Sequence, residues 1–354
     1  MSDTNDIRQM LCDTAQRLFT DHIDQKQLDA AKQTGWSSAL WDELEKADLP
    51  LIGVPEEAHG AGGTLSDAAA VLRIAARHAA PVPLAETLIA GWLLASAGLH
   101  APRGPMTVAA GGSAVHEGGS WRVSGTFKRV PFARAAKHLV VLAQGQVLVI
   151  DATLAQIRQG RNLASEARDD VTLSNAVALV EATTTVTPDA LHARGALLRA
   201  VQTGGALERA LQLSCEWATT REQFGRKIAQ FQTIQQELAR CGGEVAAVVA
   251  AALSAAGVVE RLEGDAGPGA ARQVLLAVAS AKIRAADAAR EAVAISHQVH
   301  GAIGATDEHA LHHVTLRALA WREEFGNEVY WGRHLGSAMQ AAGADQYWPL
   351  LSAA

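Results

Sequence analysis

Four groups of residues in this sequence have types and spacings that chemistry could use. The first is Thr220-Arg-Glu-Gln-Phe-Gly-Arg-Lys-Ile-Ala-Gln-Phe-Gln232, continuing through Gln235-Gln-Glu-Leu-Ala-Arg240. On local chemistry alone it is a helix that ends at Phe224-Gly225 and a second that starts at Ile228, with Arg221 and Gln232 as solvated polar residues. The second group is Ser296-His-Gln-Val-His-Gly-Ala-Ile-Gly-Ala-Thr-Asp-Glu308. The third is Glu308, His309, His312 and His313, whose helical spacing is compatible with a metal ion. One helix supplies an incomplete ligand set, a polar helix face explains the residues, and no metal is expected. The fourth, Gly53-Val-Pro-Glu-Glu-Ala-His-Gly-Ala-Gly-Gly63, holds a Glu-x-x-His pair, Glu56 to His59, in a Gly-rich loop. A di-iron bundle needs that pair on two helices, so the reading fails. No Gly-x-Ser-x-Gly and no phosphate-binding Gly-x4-Gly-Lys occurs, which leaves serine hydrolase and P-loop chemistry without a foothold.

The elements that must position these groups emerge from composition and periodicity. The chain has 354 residues, 49% hydrophobic and 19% charged, enough for two to three domain-sized cores and far from the polar excess of a disordered chain. Net charge is −6, the isoelectric point is about 6.1, and no Lys/Arg cluster forms an electrostatic footprint, so nucleic acid is not an expected partner. Three cysteines, Cys12, Cys215 and Cys241, show no Cys-x-x-Cys spacing, which argues against a disulfide framework or a zinc site and for a cytoplasmic protein. The N-terminus lacks an apolar stretch behind a basic start, and the longest apolar run, Val245 to Val259, is shorter than a bilayer crossing; no signal peptide or membrane span is expected.

Texture changes twice along the chain. Residues 1–102 carry helical spacing, as in Leu72, Ile74, Ala75 and His78, then Leu84, Leu88, Ile89 and Leu93. Residues 103–186 hold short β-branched runs (Met106 to Val108, Trp121 to Val123, His138 to Leu142, Gln146 to Ile150, Val177 to Val186) between Gly, Asp and Asn turns, a small antiparallel β-domain. Residues 187–354 contain four long segments, at about 189–219, 226–263, 268–299 and 306–340, suited to an antiparallel four-helix bundle. The expected fold is mainly α with a central β-domain, and the order is not βαβ, so a Rossmann fold is disfavoured.

The first group resembles the helix-turn-helix of acyl-CoA dehydrogenases, R-x-Q-F-G-x-x-I-x-x-F-Q. The Ser296–Glu308 group is similar to that family's Q-x-H-G-G-x-G-x-x-x-E stretch, and the Gly53–Gly63 group to its N-terminal V-P-E-E-x-G-G-x-G loop. The three stand in the family's order and span nearly the whole chain. The resemblance implies FAD held between subunits. Arg221, Gln223 and Gln232 would meet the pyrophosphate and adenine end with a forked guanidinium and amides, and Phe224 would offer an apolar face. Gln298, His300 and the small Gly301 would reach a neighbouring subunit's FAD. The implied reaction is α,β-dehydrogenation of an acyl-CoA thioester in fatty acid or steroid side-chain degradation, with electrons passing to an electron-transferring flavoprotein.

The departures bear on catalysis. The family's base is a Glu just before a Gly-Thr, and here Phe325 stands there, followed by Gly326 and Asn327. Glu324 and Glu323 lie one and two positions earlier; a shifted register would give the role to Glu324, or else Glu323, although one helical step turns a side chain by about 100°. The alternative base place, on the first bundle helix, is Gly195-Ala196. Thr107 to Ser113 and Arg129-Val-Pro-Phe132 replace the family's flavin-contacting β-domain motifs. The favoured reading is therefore the reduced partner of a related subunit in a tetramer. A homo-oligomer using Glu324, a purely structural or FAD-binding subunit, and a flavin monooxygenase of the same fold remain alternatives.

Overall fold

A capping box opens one of the first helices: the Asp24 carboxylate accepts from Gln27 N–H while the Gln27 side chain accepts from Asp24 N–H, and Gly35 at φ 87° closes the same helix. The computed structural model describes residues 2–265 and 267–352. It contains α1 (Ser2–His22), α2 (Gln25–Thr34), α3 (Ser38–Lys46), α4 (Leu65–Arg77) and α5 (Leu84–Ser96). The strands β1 (Met106–Ala110), β2 (Ser113–Glu117), β3 (Ser120–Pro131), β4 (His138–Ala143), β5 (Gln146–Asp151), β6 (Gln156–Arg158) and β7 (Arg168–Thr183) come next. The rest is α6 (Pro188–Thr220), the two-residue strands β8 (Glu222–Gln223) and β9 (Arg226–Lys227), then α7 (Gln232–Arg261), α8 (Pro268–His300), α9 (Leu311–Glu323), α10 (Glu328–Ala342) and α11 (Ala344–Ser352).

Along the chain, helical regions precede and succeed a central sheet, as the sequence texture requires. Contacts divide the chain into two units: residues up to Val71 together with Ala80–Gly195, and Leu72–Ala79 together with Ala196 onward.

In the first unit the seven strands order as β1-β4-β5-β7-β3-β2, with β6 also on β7. Val123, Phe127, Leu139, Val141, Ile150 and Val171 fill the core. All pairings are antiparallel except one: β1 runs parallel to β4, with Met106 opposite His138, which corrects the wholly antiparallel expectation. β7 also begins at Arg168, well before the apolar run at Val177. Its first residues hide the strand because their charges are satisfied inside: buried Asp169 takes Arg134, and Glu166 takes Arg168 at 3.0 Å. Asp170 accepts from Arg129 N–H at 3.0 Å and pairs with Arg158 and Lys128, which hold its carboxyl well below the usual range.

In the second unit α8 packs against α7, α9 and α10, and α6 meets α7 at Gly204 and Val249. The second expected segment starts later than its periodicity suggests, because Arg226 to Gln230 form a strand and a short 3₁₀ turn before α7. The fourth is broken: Phe325 at φ 53° and Gly326 at φ 83° separate α9 from α10. Early residues join this unit as well, since Arg73 pairs with Glu208 at 2.6 Å. At Gly205 an added Cβ would lie 2.2 Å from the Arg73 carbonyl, so only glycine allows that approach. By length and composition α7 could cross a bilayer, contrary to the expectation from its apolar run, and only 33% of its most apolar stretch is buried. It nevertheless packs along α8, with Glu244 bound to Arg284 and Arg240 to Glu291 at 3.0 Å.

Candidate functional site

Two of the motifs meet at one end of the bundle. Trp217 lies on the last turn of α6, one helical turn before Arg221, and the Arg221 guanidinium sits 5.8 Å from its ring. The chain then reverses through the β8–β9 hairpin, where Gln223 faces Arg226 in register and Ile228 N–H donates to the Arg221 carbonyl at 2.9 Å. Phe224 and Gly225, both at positive φ, make the turn. Phe224 is 91% exposed, set edge-on to Phe231, over which Arg226 lies at 4.1 Å. Gln232, exposed, begins α7.

From α8, His300 stacks on Trp217 with ring centres 5.6 Å apart and planes 16° from parallel. His309 stands edge-on to both rings, 4.6 Å from His300 and 5.7 Å from Trp217. His300 is 5% exposed; its Nδ1 lies 2.8 Å from the Ser296 carbonyl, and its buried Nε2 has no hydrogen-bond partner. Gln298 is exposed on α8. Gly301 at φ 66°, ψ −148° occupies a backbone region reserved for glycine, and the space where a side chain would stand is open. The structure thus joins Arg221 to His300 through Trp217 and sets Gln223, Phe224, Gln232, Gln298 and Gly301 exposed on the segments around them. An exposed guanidinium, an exposed phenyl ring, amides and an orphaned imidazole nitrogen suit a dinucleotide's phosphates and rings.

Burial is the main influence on the imidazoles here: it lowers the affinity of His297, His300 and His309 for protons. His78 in the same unit is lowered to about 4, by burial first and then by Arg77 and Arg209. The unfolded chain therefore takes up protons that the fold refuses, and stability falls as pH drops below about 6.5. For His78 that loss runs down to about pH 4. We expect urea midpoints to fall monotonically from pH 7 to pH 5, and a flat profile would contradict this placement.

The carboxylates first considered as bases lie at the end of α9. Glu324 Oε2 accepts from Arg199 Nε at 2.8 Å, Arg199 being 1% exposed on α6. The Arg199 guanidinium lies 5.7 Å from the Phe325 ring. Glu323 accepts from Asn327 Nδ2 at 3.1 Å. Lys282 on α8, also 1% exposed, donates to the Trp321 and Arg322 carbonyls at 2.7 and 2.9 Å. Sequence reasoning missed Trp217, Arg199 and Lys282. The available signals were the one-turn spacing of Trp217 from Arg221 and charges set inside the runs Leu197-Leu198-Arg199-Ala200-Val201 and Ala279-Ser280-Ala281-Lys282-Ile283.

In the first unit, the Gly53–Gly63 loop is pinned by a Val54–Gly62 bridge, and Gly60 has no room for a Cβ, which would come 2.0 Å from the Val54 carbonyl. His59 stacks on His100 at 4.0 Å beside a cavity of about 310 Å³ lined by Glu45, Asp48, Thr87 and Arg103. Phe132 of the altered β-domain motif is buried with Ala135, Ala167 and Trp36, and Arg168 lies 5.2 Å from its ring. That side chain is spent inside its own unit.

Residues 5–103 match the family described as acyl-CoA dehydrogenase, N-terminal domain, and residues 189–339 the acyl-CoA dehydrogenase, C-terminal domain. The chain is 31% identical over 317 residues to acyl-CoA dehydrogenase IpdE2 of Mycobacterium tuberculosis, covering 88% of this chain and 90% of that protein. Among solved structures, the Tcur3481-Tcur3483 steroid ACAD variant superposes with a TM-score of 0.82 at 25% identity, covering 96% of this chain and 99% of its own. The ChsE4-ChsE5 complex from Mycobacterium tuberculosis shares the fold, with a TM-score of 0.83 at 22% identity over 95% of this chain and 98% of its own. With both domain descriptions matched in order and a relative at this identity over most of both chains, the chain belongs to the acyl-CoA dehydrogenase family of oxidoreductases.

Proposed function

We propose that the chain is one of two unlike subunits of an FAD-dependent acyl-CoA dehydrogenase, binding FAD at a subunit boundary and leaving α-proton removal to a related partner. The observation that carries the reading is the end of α9: a phenyl ring stands at the family's base position, and the nearest carboxylate in sequence, Glu324, is already bound to buried Arg199. When bound, FAD supplies the acceptor for the β-hydrogen as hydride. Arg221 would meet the pyrophosphate, Gln223 and Gln232 its polar edges, and Phe224 an apolar ring. Gln298 and the orphaned Nε2 of His300 would serve a neighbouring subunit's FAD across the opening at Gly301. Electrons then pass to an electron-transferring flavoprotein.

Two-name assemblies among the solved relatives support an unlike partner, and the steroid ACAD among them supports a bulky acyl-CoA substrate. The thinly buried α7 supports a dimer of dimers, since an apolar helix face of that length is costly to leave in water. The test is co-expression with a related family member, sizing, and a flavin spectrum. A yellow complex of tetramer mass is expected. Arg221→Ala should weaken FAD binding about 10- to 100-fold, the loss of one charge-assisted hydrogen bond. A colourless complex that takes up no flavin on FAD addition would overturn the reading.

A further inference from the structure

Lys282 is a charged residue type sealed inside the bundle, and its only described hydrogen bonds run to the carbonyls of Trp321 and Arg322 at 2.7 and 2.9 Å. Those carbonyls belong to the last turn of α9, where a helix leaves C=O groups without N–H partners of its own. Trp321 O also accepts from Glu324 N–H at 3.2 Å, so the chain beyond depends on where that carbonyl sits. The next residues are closely fixed. The Phe325 carbonyl accepts from Trp331 Nε1 at 2.8 Å, and Asn327 caps α10 by accepting from Tyr330 N–H at 3.1 Å. At Gly326 a Cβ would lie 2.5 Å from Tyr330 Cδ1.

We infer that Lys282 is the positioning residue of the Glu323–Asn327 turn and clamps it through two N–H donors of a neutral amine. The inference deepens the proposed function, on which it rests only for the turn's place beside the substrate. An amine has two N–H groups and meets two acceptors; an ammonium would bring a third with no acceptor among the described contacts. The surrounding charges are already engaged. Arg199, from α6, is taken by Glu324; Glu323 accepts from Asn327; Glu328, on α10, is taken by Arg322; and on α7 Glu244 is taken by Arg284. Burial pushes the Lys282 ammonium down to about 7, outweighing the attraction of Glu324, and Arg199 pushes the same way.

The consequence is a stability that rises with alkalinity. The unfolded chain binds a proton that the fold gives up above about pH 7, so the unfolding equilibrium constant falls about fifteen-fold between pH 7 and 8.5. The window stops there because two thiols work the other way above their ordinary range: partial desolvation raises the exposed Cys215, and burial raises Cys241 to about 11.

The experiment is urea unfolding of the full-length protein, in its native assembly, at pH 7.0, 7.75 and 8.5 with fixed ionic strength and protein concentration. The unmodified protein should become more stable from pH 7.0 to 8.5, and Lys282→Met should lose about fifteen-fold of that change and exchange amide hydrogens faster at residues 321–327. An unmodified protein whose stability is flat or declines across the window overturns the inference, as does a Lys282→Met protein that keeps the rise. The first arm needs no variant to fold. Neither readout uses flavin or acyl-CoA, so a colourless protein that shows the rise would sink the proposed function alone, and a yellow one without it the inference alone.

Discussion

Acyl-CoA should bleach the flavin of the assembled complex almost equally well whether Glu324 is intact or changed to Gln, and this chain purified by itself should not bleach at all. Proton abstraction from the α-carbon needs a carboxylate within hydrogen-bonding reach and free to receive the proton, and loss of such a group costs about 10²- to 10⁴-fold. Phe325 has nothing to offer. Glu324 would first have to leave a 2.8 Å bond to a guanidinium that is itself 1% exposed. Glu323→Gln should be equally mild, because that side chain is exposed and accepts from Asn327. Stopped-flow absorbance of the flavin band decides the matter. Full bleaching by the isolated chain that disappears in Glu324→Gln would show that the base is here after all.

The same ion pair should dominate the stability of the turn. Arg199→Met takes the guanidinium away from the Glu324 carboxylate, 10% exposed, and breaking one side of a buried pair typically costs about 3 to 5 kcal/mol. Glu324→Gln should cost less, about 1 to 3 kcal/mol, because the amide oxygen can still accept from Arg199 Nε. Removing both charges at once, Arg199→Met with Glu324→Leu, should recover most of the loss, since an apolar pair of similar volume needs no compensation. With Glu324→Leu as the second single substitution, urea denaturation of the unmodified protein, Arg199→Met, Glu324→Leu and their combination forms a double-substitution cycle. Additive losses would mean that the two side chains do not stabilise each other.

What the sequence made legible was whatever repeats with a period or advertises a break. The helices α4 and α5 were written in the apolar spacing of Leu72, Ile74 and Ala75 and of Leu84, Leu88, Ile89 and Leu93, and the strands β4 and β5 in unbroken apolar runs. The hairpin after α6 was announced by Phe224-Gly225. Other features were hidden because tertiary contacts decide them. Arg168, Asp169 and Asp170 read as a polar loop, yet they are strand, because Glu166, Arg134, Arg129, Arg158 and Lys128 meet their charges. The break at 324–327 carries a non-glycine residue at positive φ, which no spacing foretells. For the candidate site, Arg221 and His300 were legible as motif residues, but Trp217 between them was not: its partner lies on another helix. Arg199 and Lys282 were passed over because a buried charge looks in sequence like a solvated one.

The early segment Leu72–Ala79 has a consequence for synthesis. Its Arg73 finds Glu208 only when 135 further residues have been made. A nascent chain leaves the ribosome N-terminus first, so this stretch of helix must wait, uncovered, while the whole β-sheet is translated. Folding cannot simply proceed piece by piece behind the ribosome. A fragment stopped at Gly195 would carry the bare 72–79 face permanently, and one started at Ala196 would lack the backbone against which Gly205 is fitted. The second unit is thus completed late, after the C-terminal helices have emerged.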